Sequence, residues 1–418
     1  MRIGFIGLGK LGLPLALAIE SKGHTVGGYD PNLKVMDILR TRKLPYIEEG
    51  AQDLLDKTKL RYFSTPEKMV DSLDPDLAFV AVQTPHDPEF EGTTPLTKER
   101  KDFDYSYLVQ ACQDLADAGG SFPVAIISTA LPGTIERLCV PILGADRVVY
   151  NPSFIAMGTA VQDFLNPEFV LLGVDRKEPA EVVKQFYRQT LPQALTHGFI
   201  QEMSIASAEL TKVAYNTFIG LKIVFANHLA EVSEAVGADV DQVCDALAHA
   251  DRRLISPAYM RAGMGDAGGC HPRDNIALSW LAGKIHESYD LPGEMMKARE
   301  LQSLKLANLI SRKHYATSLP VVICGKAYKK GTNLTIGSAA TLLANQLEGM
   351  GVPFVHLDPV VDPKETIPLN YPMLYVLATN HDLFAEMAFP RDSIVIDPWG
   401  YVPKRNRARI TYISPGRR

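Results

Sequence analysis

Short apolar runs and longer amphipathic stretches alternate along the first half of the chain. Residues 2–6 are almost all apolar and predict a buried strand, and residues 13–21 predict the helix that follows it. The same alternation, punctuated by Gly, Pro and Asp, continues to residue 200. It is typical of a doubly wound parallel sheet. Further predicted strands are 25–29, 77–82, 124–128, 148–150, 168–174 and 194–200, and further predicted helices are 105–118 and 134–143.

One apolar stretch, 204–236, is much longer than the others. Its apolar residues recur every three or four positions, which predicts a single long helix. Between 218 and 225 it is apolar on nearly every face, so we expect this helix to be buried between domains and across a homodimer. Shorter helices are predicted at 239–250, 275–285 and 295–313.

A second, smaller α/β sheet is predicted near the end of the chain. Four short apolar runs surround one amphipathic helix there, which repeats the strand and helix alternation of the first half. The predicted strands are 321–325, 354–357, 374–377 and 394–396, and the helix is 338–350. The chain therefore divides into an α/β domain at 1–200, a central helical segment at 201–315 and a second α/β domain at 316–418.

Composition and charge narrow the class of protein. With 46% hydrophobic and 22% charged residues, this is an ordinary globular chain that is too long for one core. The net charge of −5 leaves no basic field to attract nucleic acid. The five cysteines are scattered without metal-ligand spacing, which argues against disulfides and metal sites and for a reducing, cytoplasmic compartment. We predict no membrane span, because no apolar run reaches roughly 18 residues.

The loop after the first strand reads Gly-Leu-Gly-Lys-Leu-Gly. Gly7 would make the turn, Gly9 would let the backbone reach a pyrophosphate, and Gly12 would let the helix pack on the strand. Asp30 ends the second strand, where it would accept hydrogen bonds from an adenosine ribose and repel a 2′-phosphate. Strand, loop, helix and acid together predict a Rossmann domain that binds NAD rather than NADP.

Two further loops end strands at the carboxyl edge of the same sheet, so they should face the cofactor. They carry Thr84 and Thr129, although a hydroxyl there could equally cap a helix or a turn. The acidic segment 86–103 between them is either a solvated loop or a lid over the site. The predicted cofactor contacts are Gly7, Gly9, Lys10, Leu11, Gly12, Asp30, Thr84 and Thr129.

The candidate nucleophile lies in a glycine-rich loop, 263–274. Cys270 follows four glycines, which would let a ligand approach the backbone closely. Asp274 precedes the helix 275–285 and is expected to cap it. Cys270 would then sit just ahead of a helix N-terminus, where a thiolate is favoured. The alternative is a tight turn around a structural cysteine.

Polar residues in two other elements are also candidate site residues. Glu209, Lys212 and Asn216 share one face of the long helix, where a buried lysine and amide would need partners. A solvent-exposed charge pair is the alternative. The loop 326–332 follows the first strand of the second sheet, which is Rossmann-like but lacks the paired glycines. Its three lysines suit an anionic ligand, and a solvated basic turn is the alternative.

Several motifs occur in a fixed order along the chain and together carry a resemblance. They are IGLGKLGLPLA at 6–16, STALPG at 128–133, NP, GTA and DF between 151 and 164, ELTK and NTF between 209 and 218, GGCHPRD at 268–274, GKAYKK at 325–330 and ATNHD at 378–382. With these motifs the chain resembles the UDP-glucose/GDP-mannose dehydrogenase family over nearly its whole length.

The resemblance implies a nucleotide-sugar 6-dehydrogenase that oxidises the C6 hydroxyl of a UDP-glucose-like hexose to the uronic acid in two NAD-dependent steps. Cys270 would capture the intermediate aldehyde as a thiohemiacetal, which is oxidised to a thioester and then hydrolysed. Lys212 would stabilise an oxyanion, Asn216 and Asp274 would orient water and oxygen, and Thr129 would hold a water near the nicotinamide. The implied substrate contacts are Lys212, Asn216, Arg253, Tyr259, Gly263, Gly265 and, at the diphosphate or hexose, Lys329.

Departures from the family pattern leave the substrate and product open. Ser153 and Met157 stand where the family has two glutamates, Arg273 replaces a lysine, and residues 334–338 lack the family's arginine. The stretch 253–261 is closer to the GDP-mannose branch than to the commonest UDP-glucose form. Alternatives are a GDP-mannose or UDP-N-acetylhexosamine 6-dehydrogenase, a variant that stops at the aldehyde or the covalent adduct, and a non-catalytic protein that binds NAD and a nucleotide sugar.

Overall fold

The structure is a computed structural model that describes residues 1–85, 101–156, 158–256, 262–264 and 270–415. The chain divides into two compact units, Met1–Gly220 and Leu221–Arg418. Among the residues described, no helix combines the length and the apolar character needed to cross a membrane. The boundary between the units falls inside the long helix, which therefore contributes residues to both.

The first unit is built on an eight-stranded sheet with helices on its faces. Its strands are β1 (Arg2–Ile6), β2 (Thr25–Tyr29), β3 (Arg61–Tyr62), β4 (Leu77–Val80), β5 (Val124–Ile126), β6 (Val148–Tyr150), β7 (Val170–Gly173) and β8 (Ile200–Met203). Its helices are α1 (Gly12–Ser21), α2 (Leu33–Thr41), α3 (Ala51–Lys57), α4 (Pro66–Leu73), α5 (Ser106–Asp117), α6 (Thr134–Leu138), α7 (Val140–Leu143), α8 (Ala160–Leu165), α9 (Lys177–Thr190) and the start of α10 (Ile205–Val236). The strand order is β3-β2-β1-β4-β5-β6-β7-β8.

Both faces of this sheet are covered, as expected of a doubly wound fold. Phe5 and Phe79 lie in the core on one face, whereas Ile6 and Val80 lie in the core on the other, and all four are at most 2% exposed. Neighbouring residues of one strand thus enter opposite cores, because successive side chains point to opposite faces. The α/β class and the Rossmann-like architecture predicted from the sequence are confirmed.

The sheet departs from the prediction in the direction of its last two strands. β6 and β7 pair antiparallel, with Tyr150 opposite Gly173, while β7 and β8 are parallel to each other. The predicted all-parallel sheet is therefore wrong at this one pair. Gly173 has a packing role here, since a Cβ on it would lie 2.8 Å from the Cβ of Ala208 and 3.0 Å from the Cα of Ile205. Its lack of a side chain lets the first turn of α10 lie directly on the sheet.

Two predicted elements near proline residues are corrected. The strand expected at 194–200 is wrong in its first part, where Pro192–Leu195 forms a 3-10 helix and β8 begins only at Ile200. The single helix expected at 134–143 is divided into α6 and α7 around Cys139. Pro141 explains the division, because it has no backbone N–H to continue the hydrogen bonds of α6.

The second unit contains a five-stranded parallel sheet together with most of the remaining helices. Its strands are β9 (Val321–Cys324), β10 (Phe354–Leu357), β11 (Leu374–Leu377), β12 (Ile394–Ile396) and β13 (Thr411–Ile413), in the order β10-β9-β11-β12-β13. Its helices are α11 (Val240–Ala248), α12 (Cys270–Ile285), α13 (Leu291–Thr317), α14 (Ala339–Gly349) and α15 (Asp382–Ala385). All four strand pairs are parallel, so the carboxyl ends of the strands lie at one edge of the sheet. This confirms the second, smaller α/β sheet.

The helix that follows the glycine-rich loop begins earlier than predicted. α12 starts at Cys270, so Asp274 lies inside the helix and its predicted role as N-cap is wrong. Cys270 is the first helical residue rather than a residue ahead of the helix. Pro272 fits in the first turn, because the N–H groups there have no partner within the helix.

Candidate functional site

Each of the three glycines in the loop between β1 and α1 is required for a different structural reason. Gly7 has φ +95°, and a Cβ there would lie 2.8 Å from the carbonyl oxygen of Ala81. A Cβ on Gly12 would lie 2.0 Å from the carbonyl oxygen of Gly7, so only glycine lets α1 begin this close to the loop. Gly9 has nothing within 4 Å of a Cβ position. The loop is thus closed on its protein side and open at Gly9, as close approach of a pyrophosphate requires.

Asp30 ties this loop to the end of β2. Its Oδ2 accepts a hydrogen bond of 2.8 Å from the Leu8 N–H and its Oδ1 accepts one of 2.8 Å from the Asn32 N–H. The side chain is 8% exposed, and the Asp30 carbonyl accepts a hydrogen bond from the Tyr62 hydroxyl. Each carboxylate oxygen keeps a free lone pair. The residues present therefore fit the adenosine end of a dinucleotide, with Asp30 fixed by the loop that it helps to shape.

The loops after β4 and β5 hold each other in place. The Thr84 hydroxyl donates to the carbonyl of Thr129 at 2.9 Å, and the Ser128 hydroxyl donates to the carbonyl of Val82 at 2.6 Å. Their two predicted cofactor residues, Thr84 and Thr129, are thus brought together at the carboxyl edge of the sheet. The Thr84 proton is used within the protein, so its hydroxyl could only accept from a ligand. The half-buried Thr129 hydroxyl is the more available of the two.

Glu209 does not pair with Lys212, although the two residues share a face of α10. Its fully buried carboxylate accepts from the N–H of Gly133 at 2.6 Å and of Ile135 at 2.8 Å, at the start of α6. Burial raises the pKa of Glu209. A carboxylate at a helix N-terminus satisfies N–H groups that lack a partner within the helix. Glu209 therefore fixes α10 to the segment that carries Thr129.

Lys212 is a buried cation without a carboxylate partner among the residues described. It is 8% exposed, and its Nζ donates to the carbonyl oxygen of Ser153 at 2.7 Å. The same Nζ lies 5.0 Å from the ring centre of Phe154. Burial lowers the pKa of Lys212 below its usual value. A partly desolvated ammonium of this kind is suited to stabilise a developing oxyanion. Asn216, one turn further along α10, is exposed in the single chain, and its burial between domains or across a dimer stays a prediction.

A small pocket lies beside Ser153, with a volume of about 20 Å³, enough for about one water molecule. Its lining includes Asn151, whose side-chain amide is held from both ends: Nδ2 donates to the carbonyl of Leu171 and Oδ1 accepts from the Tyr187 hydroxyl. Asp163 also lines it, accepting hydrogen bonds of 2.9 Å from the Ala156 N–H and the Thr159 hydroxyl. This carboxylate is used to hold the chain, and the sequence pattern alone does not mark it as a neighbour of Ser153.

In the second unit, one of the three lysines after β9 is left for a ligand. Lys326 forms an ion pair with Glu365, and Lys330 lies 3.3 Å from the carboxylate of Asp382. Lys329 is exposed and has no ion-pair partner in the part of the chain that the structure describes; its Nζ lies 5.4 Å from the ring centre of the neighbouring Tyr328. This agrees with the choice of Lys329 as the anion-binding lysine, which remains a prediction.

Asp358 organises the lysine loop and was missed at the sequence level. Its Oδ2 accepts from the N–H groups of Lys326 and Ala327 and lies 3.3 Å from Nε2 of His381. Nδ1 of His381 in turn accepts a long hydrogen bond from the Gly331 N–H. Burial raises the pKa of Asp358, but the hydrogen bonds from His381 and the backbone outweigh it and lower the pKa well below its usual range. The signal was available, because Asp358 follows β10 as Asp30 follows β2.

The remaining predicted site residues are described unevenly. Cys270 and Asp274 are described only by the course of α12, Arg253 is exposed in the turn after α11, and Gly263 opens the predicted glycine-rich loop. The residues outside the described part of the chain are Met157, Tyr259, Gly265, Arg273 as a side chain, and the segment 86–100. The roles of all these residues remain predictions.

Comparisons with known proteins agree on one family. Residues 1–191 match the UDP-glucose/GDP-mannose dehydrogenase family, NAD binding domain, and residues 206–300 match the central domain of the same family. The chain is 28% identical over 366 residues to the GDP-mannose 6-dehydrogenase of Pseudomonas aeruginosa, covering 84% of this chain and 79% of that one. It is 24% identical over 419 residues to a UDP-glucose 6-dehydrogenase of Bacillus subtilis, covering 98% and 86%. A solved structure of a ternary complex of GDP-mannose dehydrogenase from Pseudomonas aeruginosa matches with a TM-score of 0.85 and 25% identity over 99% of both chains.

Proposed function

The chain belongs to the UDP-glucose/GDP-mannose dehydrogenase family, and on that premise we propose that it oxidises the C6 hydroxyl of a nucleotide-linked hexose to the uronic acid with NAD. The observation that carries the proposal is the buried ammonium of Lys212, which has no carboxylate partner among the described residues, on a helix that Glu209 fixes to the Thr129 segment. A cation placed in this way serves a reaction in which negative charge develops on oxygen.

GDP-mannose is our first candidate substrate. The sequence alone favours a UDP-glucose-like hexose, with GDP-mannose and a UDP-N-acetylhexosamine as alternatives. The relative with 28% identity and the solved structure with a TM-score of 0.85 are both named for GDP-mannose. The stretch 253–261, whose first residues form an exposed turn after α11, also resembles the GDP-mannose branch.

Different residues of this chain would carry different parts of the proposed reaction. When bound, NAD accepts a hydride from the sugar carbon in each of the two oxidations. The Cys270 thiolate adds to the aldehyde carbon, and Lys212 donates to the oxygen that becomes negative as the C–S bond forms. Asn216 and Asp274 orient this oxygen and the water that later cleaves the thioester. Lys329 holds the diphosphate by charge.

The cofactor would be held by the first unit. The open backbone at Gly9 would contact the pyrophosphate, and Asp30 would accept from the adenosine ribose. Lys10 and Leu11 complete the loop, and Thr84 and Thr129, which meet at the carboxyl edge of the same sheet, would face the nicotinamide. These residues bind and orient the cofactor and exclude the 2′-phosphate.

Counting NADH per sugar tests the proposal. The purified chain is mixed with NAD and, separately, with GDP-mannose, UDP-glucose and UDP-N-acetylmannosamine. We expect two NADH per molecule of the true substrate and a uronic acid in the product. One NADH per sugar would show that the enzyme stops at the aldehyde. Binding of both ligands by calorimetry without NADH would show a non-catalytic binding protein.

We expect kcat/KM to be at least about ten-fold higher with NAD than with NADP, because like charges placed together cost several kcal/mol. Asp30 would meet the 2′-phosphate of NADP at the end of β2. The Asp30→Asn variant is the matched control, since it removes the charge and keeps an acceptor for the Leu8 N–H. This variant should bring the kcat/KM values for NAD and NADP closer together. Equal values for NAD and NADP in the unmodified protein would contradict this assignment of Asp30.

We expect activity to fall at alkaline pH as the Lys212 ammonium loses its proton. Burial lowers the pKa of Lys212, so the charged form is complete below that pKa and disappears as the pH rises through it, earlier than for an ordinary lysine. The measurement is kcat against pH, compared with Lys212→Arg, whose guanidinium stays charged. In the Lys212→Arg variant, the decrease in kcat should shift to higher pH or disappear. An identical fall in both proteins would assign it to another group.

We propose a homodimer built on α10. Phe218, Ile219, Leu221 and Phe225 are each between 41% and 47% exposed in the single chain, which is an unusual apolar surface for one helix. We expect sedimentation to give a dimer at micromolar concentration and Phe218→Asp to shift it toward the monomer. Ile47→Asp is the matched control, because Ile47 is 95% exposed and lies outside α10. A monomer in the unmodified protein would refute the proposal.

A reducing, cytoplasmic compartment suits the thiol chemistry that we propose. Cys112, Cys139, Cys244 and Cys324 are free cysteines in the described part of the chain. Free thiols, and above all a catalytic one, persist where the surroundings are reducing.

A further inference from the structure

We propose that Tyr187 and Asn151 are positioning residues for Lys212, acting through the backbone carbonyl of Ser153. The inference rests on the proposed function, in which the Lys212 ammonium stabilises the developing oxyanion. Asn151 directly follows β6, whereas Tyr187 lies on α9, a helix that carries no predicted site residue. All four residues belong to the first unit and to the described part of the chain.

The chain of contacts begins at the Lys212 ammonium. Its Nζ donates a hydrogen bond of 2.7 Å to the carbonyl oxygen of Ser153. An oxygen that accepts from an ammonium favours the charged form, because it compensates for part of the hydration lost on burial. The direction of this carbonyl therefore affects both the position of Nζ and the pH range in which Lys212 keeps its charge.

Asn151, two residues before Ser153, is fixed by three hydrogen bonds. Its backbone N–H donates to the carbonyl of Ile126 at 2.8 Å, at the end of β5. In its side chain, Nδ2 donates to the carbonyl of Leu171 at 3.0 Å and Oδ1 accepts from the Tyr187 hydroxyl at 2.7 Å. Asn151 is 2% exposed, so any of these groups left without a partner would be unfavourable.

Pro152 makes the connection between Asn151 and Ser153 stiff. Its ring holds its own φ at about −65°. It also restricts Asn151, the residue before it, to extended conformations. Few backbone rotations remain between the anchored Asn151 and the carbonyl that meets Lys212. A change in the orientation of Asn151 is therefore passed on to this carbonyl rather than absorbed along the way.

Packing restrains this segment less specifically than the hydrogen bonds do. The ring centre of Phe154 lies 4.7 Å from those of both Phe169 and Tyr215. Such ring contacts hold the segment in place but do not set the direction of a neighbouring carbonyl. The small pocket described above lies against Asn151 and Ser153, so side chains do not enclose them on every side. The directional anchor of the segment is thus the Tyr187–Asn151 pair.

The titratable groups of the elements around Lys212 are engaged in other contacts. Among the described residues, Glu209 accepts from the start of α6, and Asp163 accepts from a backbone N–H of the segment that follows Ser153. Glu168 accepts a hydrogen bond of 3.4 Å from a tyrosine hydroxyl of α10. Burial raises the pKa of Tyr187, so its hydroxyl remains a donor at alkaline pH. The Ser153 carbonyl is therefore the contact of Lys212 that the experiment can vary.

Removing one hydroxyl group tests the proposal. Tyr187→Phe deletes the hydrogen bond to Asn151 and keeps the ring, and Asn151→Ala deletes both side-chain hydrogen bonds. Tyr375→Phe is the matched control, because this tyrosine is fully buried in the second unit and donates one hydrogen bond of 2.7 Å to the carbonyl of Pro368. The readouts are kcat against pH and the acetylation of Lys212 by acetic anhydride against pH, followed on its peptide by mass spectrometry. Thermal unfolding is recorded for every variant.

We expect Tyr187→Phe to shift the alkaline decrease in kcat and the increase in Lys212 acetylation to lower pH. The shift should be about half a pH unit or more, because an ammonium that loses an accepting oxygen gives up its proton more readily. The largest kcat in the profile should fall about three- to ten-fold, as expected for the loss of one hydrogen bond at the site. Tyr375→Phe should lower the melting temperature to a similar extent and change neither pH dependence.

The double variant shows whether Tyr187 acts through Asn151. Asn151→Ala alone should give shifts at least as large as those of Tyr187→Phe. Adding Tyr187→Phe to it should then change neither pH dependence further, because the hydroxyl has no amide left to hold. Asn151→Ser replaces Asn151→Ala if that protein does not fold.

Two results would overturn the proposal. One is a Tyr187→Phe protein that melts earlier, as Tyr375→Phe does, but keeps the pH dependence of kcat and of Lys212 acetylation. That result would show a merely structural hydrogen bond. The other is a double variant in which the shifts of Tyr187→Phe and Asn151→Ala add in full. Acetylation needs no substrate, so it still decides the matter if the proposed oxidation fails with every sugar nucleotide.

Discussion

Replacing Cys270 with serine is expected to abolish uronic acid formation while leaving NAD binding unchanged. The loss should reach at least about 10³-fold, since removing a covalent nucleophile from an enzyme costs several orders of magnitude. A serine hydroxyl keeps its proton at neutral pH and adds to an aldehyde far less readily than a thiolate does. The product is measured by mass spectrometry and NAD binding by calorimetry.

The helix position of Cys270 strengthens this expectation. As the first residue of α12, it lies in a turn whose N–H groups have no partner within the helix and where the helix dipole favours negative charge. Such a position lowers the pKa of a thiol and increases the thiolate fraction at neutral pH. The expectation from the sequence placed Cys270 outside the helix and Asp274 at its cap, whereas in the structure residue 270 begins the helix.

Cys244→Ser is the matched control for this experiment. Cys244 lies on α11 in the same unit, is a free cysteine and is only partly buried. Its replacement makes the same chemical change in a helix that carries no predicted site residue. Normal activity of this control beside an inactive Cys270→Ser protein would assign the loss to the nucleophile. Near-normal uronic acid production by Cys270→Ser would refute the assignment of Cys270.

Much of the fold follows from local patterns in the sequence. Strands β1, β4 and β9 are predicted within two residues because they are buried on both faces and read as continuous apolar runs. The amphipathic helices α2 and α9 were not predicted, although Asn32 is a visible N-cap for the first of them. The antiparallel pairing of β6 and β7 leaves no local mark, because strand direction depends on the path of the chain between them.

The candidate site was predicted less completely, because its geometry depends on distant residues. Lys212 was identified, but its partner Ser153 lies 59 positions away and contributes only a backbone carbonyl, which no motif reveals. Glu209 was grouped with Lys212 by helix periodicity, whereas its true partners, Gly133 and Ile135, are more than 70 positions away. Asp358 could have been found by comparing the two sheets, since the same rule that selects Asp30 applies to it.

Hydrolysis of the thioester is expected to be the slow step in this enzyme. Ser153 stands where the resembled family has a glutamate, and serine can hold a water molecule but cannot take its proton at neutral pH. A general base typically contributes about 10²- to 10⁴-fold to such a step. The enzyme should therefore release NADH in a rapid burst and accumulate an acyl adduct at Cys270.

Two described carboxylates could be considered as a substitute base, but both already accept hydrogen bonds from the protein. Asp163 accepts hydrogen bonds from the Ala156 N–H and the Thr159 hydroxyl. Glu48 is 5% exposed and accepts from the N–H groups of Gly158 and Ala160. These carboxylates hold the backbone at Ala156, Gly158 and Ala160, so taking a proton from water would weaken these contacts. The alternative is that Thr129, Lys212 and Asp274 activate the water without a further acid.

Intact-mass measurement during turnover distinguishes these outcomes, and Ser153→Glu extends the test. The variant places a carboxylate beside the small pocket next to Lys212 and should speed release of the adduct at least about ten-fold, within the range of a positioned base. Ser153→Gln is the matched control, with the same shape and no basic oxygen. If NADH instead forms linearly at two per sugar and no adduct mass appears in the unmodified enzyme, hydrolysis is not limiting. The lost glutamates have then been replaced within this chain, and Ser153→Glu should give no gain over Ser153→Gln.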